Sequence, residues 1–279
     1  MSHSNLEKSI LGKKTEYVSH YDPQLLFPIA RKINRDAIGV SEPLPFIGFD
    51  IWNHYEVSWL NEKGKPIAAL AEIIFNCSSQ NIIESKSMKL YFNSLNNTSF
   101  KDTDSVQALI AKDLREKLQT SFIRVRLIPL AHVREEKLHP MFVGTCIDDL
   151  DIDCSVYHNH PDFLQTENDE ATEILHSNLL KSNCLVTNQP DWCSVQISYT
   201  GNKINHEGLL RYIVSFRDDN EFHEQCIEKI FMQIRERCSP RKLTVYGRST
   251  RRGGLDINSL RSTEITAVED ILNMRLCRQ

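Results

Sequence analysis

Alternating apolar and polar residues predict strands in the first part of the chain. Residues 55–59 (YEVSW) alternate, a turn-forming stretch follows, and residues 67–75 (IAALAEIIF) form an apolar run. From Asp104, apolar residues recur on one face at helical spacing, and residues 122–127 (FIRVRL) alternate with period two. The order strand, strand, helix, strand indicates an α+β fold with antiparallel pairing.

The second part of the chain repeats this order. A strand, two helices and a strand are predicted, in turn, at residues 194–199, 209–215, 221–237 and 242–246. A faint internal match relates residues 89–93 (KLYFN) to residues 211–215 (RYIVS). We therefore predict a duplication, with one half at 1–135 and the other at 136–279.

The composition indicates an ordinary globular protein. Hydrophobic residues make up 41% and charged residues 25%, which excludes a disordered or fibrous chain. The 33 Lys and Arg residues against 37 Asp and Glu give a net charge of −4, which argues against broad binding to nucleic acid. The first residues lack the apolar core of a signal peptide, and no apolar run is long enough to cross a bilayer. We expect a cytoplasmic protein without direct nucleic-acid or membrane contacts.

The cysteines do not indicate a disulfide scaffold or a zinc site. Eight cysteines in 279 residues are too few for such a scaffold, and no two have C-x-x-C spacing. We therefore predict reduced thiols and no metal site.

One polar segment combines a nucleophile with an acid. Residues 182–192 (SNCLVTNQPDW) place Cys184 before Asp191 in a turn-rich stretch that leads into a strand. A thiolate is a strong nucleophile once its pKa is lowered, and a carboxylic acid can protonate what the thiolate attacks. From this segment alone, a buried cysteine beside a turn remains the favoured interpretation.

A predicted helix start carries a second group of candidates. Asn220 is a suitable N-cap, which would place His223 and Glu224 in the first turn. A carboxylate there can accept two hydrogen bonds from a planar N–H edge, such as that of a guanine-like base. The alternative is a capping arrangement beside a core histidine.

Two further segments carry cations. Residues 84–91 (ESKSMKLY) combine a carboxylate, hydroxyls and lysines, and residues 247–254 (GRSTRRGG) combine arginine with glycine. Both combinations suit phosphate oxygens. A solvated helix start and an exposed basic turn explain them equally well, and neither a Rossmann nor a Walker motif is present.

Taken together and in this order, these segments resemble one family. ESKSMK, SNCLVTNQPDW, FHEQC and RRGGLDIN are similar to motifs of the NADPH-dependent 7-cyano-7-deazaguanine reductases of queuosine biosynthesis. The length fits the long form of the family, in which two halves are fused. FDIW near Phe49 and GTCIDD near Gly144 extend the resemblance over essentially the whole chain.

The resemblance implies reduction of a nitrile to a primary amine with two NADPH. It implies that Cys184 forms a covalent thioimide, that Asp191 transfers the proton for this step, and that His223 assists later protonation. The implied substrate-binding residues are Glu84, Ser85, Lys86, His223 and Glu224. The implied NADPH-binding residues are Lys86, Ser87, Arg252 and Gly253.

The resemblance also implies the architecture. The family has tandem tunnelling-fold (T-fold) units, which are antiparallel β-sheets with paired helices on one face. The region equivalent to Cys184 in the N-terminal half, near Pro45, has no cysteine, so we expect one chemical site per chain. Sheet edges of this fold need to be covered, which favours a homodimer. Cys193 departs from the family pattern, and we expect it to be buried.

Three competing functions remain open. A cysteine hydrolase would use the same thiol and histidine without a cofactor. A non-catalytic purine- or pterin-binding module would need Glu224 but not Cys184. Binding of tRNA itself is disfavoured by the net negative charge.

Overall fold

The protein is an α+β structure, described by a computed structural model at residues 18–133, 138–185, 187–264 and 273–279. The first part of the chain contains β1 (Pro28–Ala30), α1 (Arg31–Ala37), β2 (Ile47–Leu60), β3 (Pro66–Asn76), β4 (Asn81–Ile83), α2 (Ser85–Ser94), α3 (Thr103–Leu118) and β5 (Ile123–Pro129). The second part contains β6 (Leu138–His139), β7 (Thr145–Cys146), β8 (Thr166–Cys184), β9 (Pro190–Ile204), α4 (His206–Ser215), β10 (Asn220–Glu221), α5 (His223–Cys238), β11 (Lys242–Ser249), β12 (Leu255–Ser262) and β13 (Arg275–Leu276).

Backbone contacts divide the chain into two compact units that are not continuous in sequence. Unit 1 consists of the residues up to Asp36, Asp50–Glu136 and Arg251–Asp256. Unit 2 consists of Ala37–Phe49, Lys137–Thr250 and Ile257–Gln279. Residues 251–254 of the arginine- and glycine-rich segment therefore belong to the unit that carries Glu84 and Lys86. The division into halves at 135 and 136 stays a prediction.

Unit 1 places its helix pair on an antiparallel sheet. β2 and β3 form a hairpin, and β3 pairs antiparallel with β5 from Ala69 opposite Pro129 to Phe75 opposite Ile123. The two helices are joined where Tyr91 donates a hydrogen bond to Asp113 at 2.7 Å. The first turn of α2 follows directly after β4 along the chain.

Unit 2 has the same plan with more strands. Its strand order is β10-β8-β9-β11-β12 with antiparallel pairing, except that β10 and, off this path, β7 run parallel to β8. Helix α5 packs closely on this sheet, because a Cβ atom at Gly247 would lie 2.4 Å from Cδ1 of Ile227. Tyr212 of α4 donates to Gln233 of α5 at 2.5 Å and ties the two helices together.

The two units repeat the same helix pair. Both first helices have 10 residues, both second helices have 16, and each second helix ends on a residue in the left-handed region. In the first helix of each unit, a serine hydroxyl donates a hydrogen bond to the carbonyl of a tyrosine. The pairs are Ser94 with Tyr91 in α2 and Ser215 with Tyr212 in α4. Tyr91 and Tyr212 are therefore equivalent. The internal match predicted from sequence pairs Tyr212 with Leu90 instead, so that match is shifted by one residue.

The predicted fold class is confirmed, as antiparallel sheets with paired helices recur along the chain. The main omission is β8, a strand of 19 residues. Its first nine residues are exposed or half-buried, so they show no apolar alternation from which a strand could be predicted. The β2–β3 hairpin corresponds to the β8–β9 hairpin. Cys184 ends β8, so its counterpart is Leu60, which ends β2, and not the region near Pro45 that the sequence predicted. Leu60 has no thiol, as the prediction of one chemical site requires.

Candidate active site

A tight hairpin carries Cys184 and Asp191. Cys184 is the last residue of β8, its N–H donates to the carbonyl of Gln189 at 2.8 Å, and its carbonyl accepts from Asn188 at 3.0 Å. Ser182 pairs with Asp191 across the two strands. Since alternate residues of a strand share a face, Cys184 and Asp191 project from the same side of the sheet. Both are buried, with exposed fractions of 3% and 7%.

The start of α5 brings His223 and Glu224 to this hairpin. His223 is the first residue of the helix, and its Nε2 lies 3.9 Å from Oδ1 of Asp191. Glu224 follows in the first turn and is buried. A thiol, a carboxyl group and an imidazole therefore share one corner of unit 2, and covalent addition followed by proton transfer uses groups of these types.

The helix cap differs from the prediction. The N-cap of α5 is Phe222, which provides no side-chain hydrogen bond. Asn220 lies instead in β10, where its amide donates to the carbonyl of Cys184 at 3.2 Å and to Oδ1 of Asn188 at 2.9 Å. Asn220 thus supports the loop that carries the thiol, because its amide reaches back to that loop.

Burial disfavours the thiolate form of two other thiols near this corner. Cys193 is buried, as expected, and burial raises the pKa of its thiol to about 12. Burial also raises the pKa of Cys226 well above its ordinary value. A thiol with a raised pKa carries little thiolate near neutral pH, which argues against Cys193 and Cys226 as nucleophiles.

In unit 1, Glu84 caps α2. Its two carboxylate oxygens accept from the N–H groups of Lys86 at 2.7 Å and Ser87 at 2.8 Å. Burial raises the pKa of Glu84, while these two bonds and the charge of Arg252 oppose that effect. Each carboxylate oxygen has a second lone pair, so Glu84 keeps the capacity to accept from a ligand.

The remaining predicted residues of unit 1 differ in exposure. Ser85 and Lys86 are half-buried. The hydroxyl of Ser87 is fully buried, where it donates to the carbonyl of Glu84 at 2.6 Å and accepts from Phe27 at 3.0 Å. Any contribution of Ser87 to a ligand site is therefore made through its position in the helix start.

A glycine turn presents Arg252 beside this helix start. Gly253 and Gly254 have φ angles of 63° and 80°, as a type I′ turn requires, and Arg252 and Leu255 bond to each other across the turn. A Cβ atom at Gly254 would lie 2.5 Å from Cδ of Glu56, so a side chain there would have to displace Glu56. A Cβ atom at Gly253 would lie 3.4 Å from Cδ of Lys89, which places the turn against α2.

Sequence reasoning missed the residues that hold this turn. The guanidinium of Arg251 lies 3.4 Å from the ring centroid of Tyr55, and the Tyr55 hydroxyl donates to Asp256 at 2.6 Å. Lys89 pairs with Glu56 at 2.8 Å. Tyr55 and Glu56 were assigned only to a strand, and no sequence signal linked that strand to the distant arginines.

Two absences apply to the described residues. Within 18–133, 138–185, 187–264 and 273–279, no three His, Cys, Asp or Glu side chains are grouped as metal ligands. In the same ranges, no helix has the length and apolar character needed to cross a membrane.

Two family profiles match the chain. One, described as "Nitrile reductase, 7-cyano-7-deazaguanine-reductase N-term", matches residues 17–127, and another, "QueF-like protein", matches residues 190–267. A protein of Legionella pneumophila (strain Lens) named NADPH-dependent 7-cyano-7-deazaguanine reductase is 56% identical over 273 residues, which cover 98% of this chain and 95% of that protein. A protein of the same name from Ralstonia nicotianae is 50% identical over the full length of both chains. This chain belongs to the NADPH-dependent 7-cyano-7-deazaguanine reductase family.

A solved structure of an archaeosine synthase QueF-Like protein in the apo form also aligns, with a TM-score of 0.31 and 15% identity, over 36% of this chain and 99% of that one. That likeness is too low to bear on the fold. The family assignment depends on the sequence relatives.

The family motifs fall into two groups in the structure. Unit 2 brings together Cys184, Asp191, His223 and Glu224. Unit 1 brings together Glu84, Ser85, Lys86, Ser87, Arg252 and Gly253. The cations of this second group, next to a glycine turn, form a donor set that fits the phosphates of NADPH.

Proposed function

We propose that this chain reduces the nitrile of 7-cyano-7-deazaguanine to the aminomethyl group of 7-aminomethyl-7-deazaguanine, a step of queuosine biosynthesis. The reaction consumes two NADPH and two protons for each nitrile. The observation that carries the proposal is the grouping of Cys184, Asp191 and His223 in one buried corner of a family member.

The first step is addition of the Cys184 sulfur to the nitrile carbon. The C–S bond forms as one C–N π bond breaks, and the thiol proton reaches the nitrile nitrogen by way of Asp191. The product is a thioimide, which accepts a hydride more readily than the nitrile does. Asp191 suits this relay because it shares the face and the hairpin of Cys184.

The later steps need proton transfer to the same nitrogen. NADPH, when bound, supplies the hydride for each of the two reductions. The first reduction also needs a proton on the nitrogen, whose lone pair then expels the Cys184 thiolate; this thiolate takes back one N–H proton and leaves a neutral imine. After the second reduction the nitrogen takes a further proton. His223 lies beside Asp191, which suits it for these protonations.

Recognition of the base is assigned to two carboxylates and their neighbours. Glu224, buried in the first turn of α5, suits the adjacent N–H groups of the deazaguanine edge. We propose that Glu84, Ser85 and Lys86 also contact the substrate, and that Lys86, Ser87, Arg252 and Gly253 bind NADPH. The forked donors of arginine match a 2′-phosphate, which NADH lacks.

We further propose a cytoplasmic homodimer that does not bind nucleic acid directly. All eight cysteines are free thiols, as a reducing compartment allows, and the net charge is −4. β5 pairs only with β3 among the described strands, and such an edge is suited to pairing with a second copy. Light scattering after gel filtration would show a mass of twice 32.3 kDa, whereas a single-chain mass would contradict the dimer.

The test of the activity uses purified protein, NADPH and 7-cyano-7-deazaguanine. We expect oxidation of two NADPH per nitrile and a transient adduct on Cys184 visible by intact mass. Disappearance of the nitrile without NADPH oxidation would favour a cysteine hydrolase instead. Binding of the base without turnover would favour a binding module.

A further inference from the structure

A buried ion pair outside the predicted site joins two parts of unit 2. The carboxylate of Glu221 pairs with the ammonium of Lys229, and the two side chains are 3% and 17% exposed. Burial lowers the pKa of Lys229, an effect that the charge of Asp219 opposes. A buried pair of opposite charges is costly to form but also costly to break, so it fixes the geometry of the segments that carry it.

Glu221 lies directly beside the thiol-bearing strand end. In the parallel pairing of β10 with β8, Glu221 is opposite Cys184. The N–H of Asn183 donates to the carbonyl of Asp219 at 2.7 Å, and the amide of Asn220 donates to the carbonyl of Cys184 at 3.2 Å. The segment that leads into α5 is therefore anchored to the strand end that carries the nucleophile.

Lys229 extends this anchor to the helix. It lies in the second turn of α5, while Glu221 precedes the helix, so the pair spans the turn containing Phe222, His223 and Glu224. The N-cap residue Phe222 makes no side-chain hydrogen bond. A helix start without a capping side chain is poorly fixed. A negative charge at this end also stabilises the helix dipole.

We propose that the Glu221–Lys229 pair is a positioning device that holds His223 and Glu224 in place against Cys184 and Asp191. It ties the segment before the helix to the second turn, across a start that the N-cap side chain does not hold. Neither residue is a catalytic residue, since each acts through the first turn of α5. The proposal rests on the proposed function of His223 and Glu224.

The test is a double variant, Glu221→Gln with Lys229→Met, which removes both charges and leaves neither one buried alone. We expect the melting temperature to change by only a few degrees, kcat for nitrile reduction to fall at least tenfold, and amide hydrogen exchange to accelerate in the first turns of α5. Lys229→Arg keeps the charge and should retain most of the activity. A purely structural pair would change the melting temperature without lowering kcat in the folded protein.

A matched control removes an exposed ion pair between β8 and β9, at the ends of these strands that are far from Cys184 and Asp191. Glu167→Gln with Lys203→Met deletes a 3.0 Å pair and should leave kcat and the exchange of α5 unchanged. Wild-type kcat and wild-type exchange in the Glu221/Lys229 variant would overturn the proposal. If the wild type itself oxidises no NADPH, the proposed function fails, and the exchange measurement still decides whether the pair holds the helix start.

Discussion

His223 lies with Nε2 3.9 Å from Oδ1 of Asp191, although the two residues come from a helix start and a strand. The helix supplies the first and β9 supplies the second. A small approach on ligand binding would convert this distance into a hydrogen bond between the two groups that we propose transfer protons.

Removing the acid of this pair should stop covalent addition. Asp191→Asn keeps the size of the side chain but cannot relay the thiol proton, so we expect kcat to fall by about 10²- to 10⁴-fold. Rapid mixing followed by intact-mass measurement should show slower formation of the Cys184 adduct. Asp169→Asn, on the exposed part of β8, is the control and should leave the rate unchanged. A normal adduct rate in Asp191→Asn would assign the relay to another group.

The reactivity of Cys184 should depend on His223. A histidine near a thiol can stabilise the thiolate, so iodoacetamide should modify Cys184 readily near neutral pH. His223→Phe should slow this modification. Because Cys277 is exposed, modification has to be measured on separated peptides. Cys193, whose pKa burial raises to about 12, is the internal control and should stay unmodified. Equal rates of Cys184 modification in the wild type and in His223→Phe would contradict this account.

Cofactor choice should depend on the cations of unit 1. Arg252→Ala removes a forked donor suited to the 2′-phosphate, and we expect KM for NADPH to rise about tenfold or more, with little change for NADH. Lys86→Ala should act in the same direction. The control is Lys65→Ala in the exposed turn between β2 and β3. Equal losses with both cofactors would show that these residues do not read the 2′-phosphate.

The stability of the protein should fall in acid partly because of His54. Burial lowers the pKa of this imidazole to about 4 from 6.5, and its Nδ1 lies 2.9 Å from the carbonyl of Gly254. As pH falls, the unfolded chain takes up this proton first, so about 3 kcal/mol is lost between about pH 6.5 and 4. Denaturant unfolding of His54→Asn should show a smaller loss over that window. An unchanged pH dependence, relative to the exposed control His20→Asn, would contradict the assignment.

The sequence predicted the elements whose faces differ in polarity and missed those whose faces do not. The strand and helix pattern from Tyr55 to Leu127 corresponds to β2, β3, α3 and β5, since one face of each is buried. β8 was missed because its first half has no buried face. The cap of α5 was misplaced because Asn220, a good capping residue, is used in pairing with the strand that carries Cys184.

The candidate site shows the same limit. Motifs identified Cys184, Asp191 and Arg252, because each lies in a distinctive local stretch. Partners far apart in sequence, such as Tyr55 with Arg251, have no local signal and become neighbours only when the chain folds. The Glu221–Lys229 pair was missed for a related reason, since charged residues in a helical pattern usually indicate a solvated face.

The most direct test of the account counts NADPH oxidised per nitrile by the wild type and by Cys184→Ala. The account predicts two NADPH per 7-cyano-7-deazaguanine for the wild type, and neither NADPH oxidation nor a covalent adduct for the variant. Turnover by Cys184→Ala, or loss of the nitrile without NADPH oxidation, would contradict the covalent reductase mechanism.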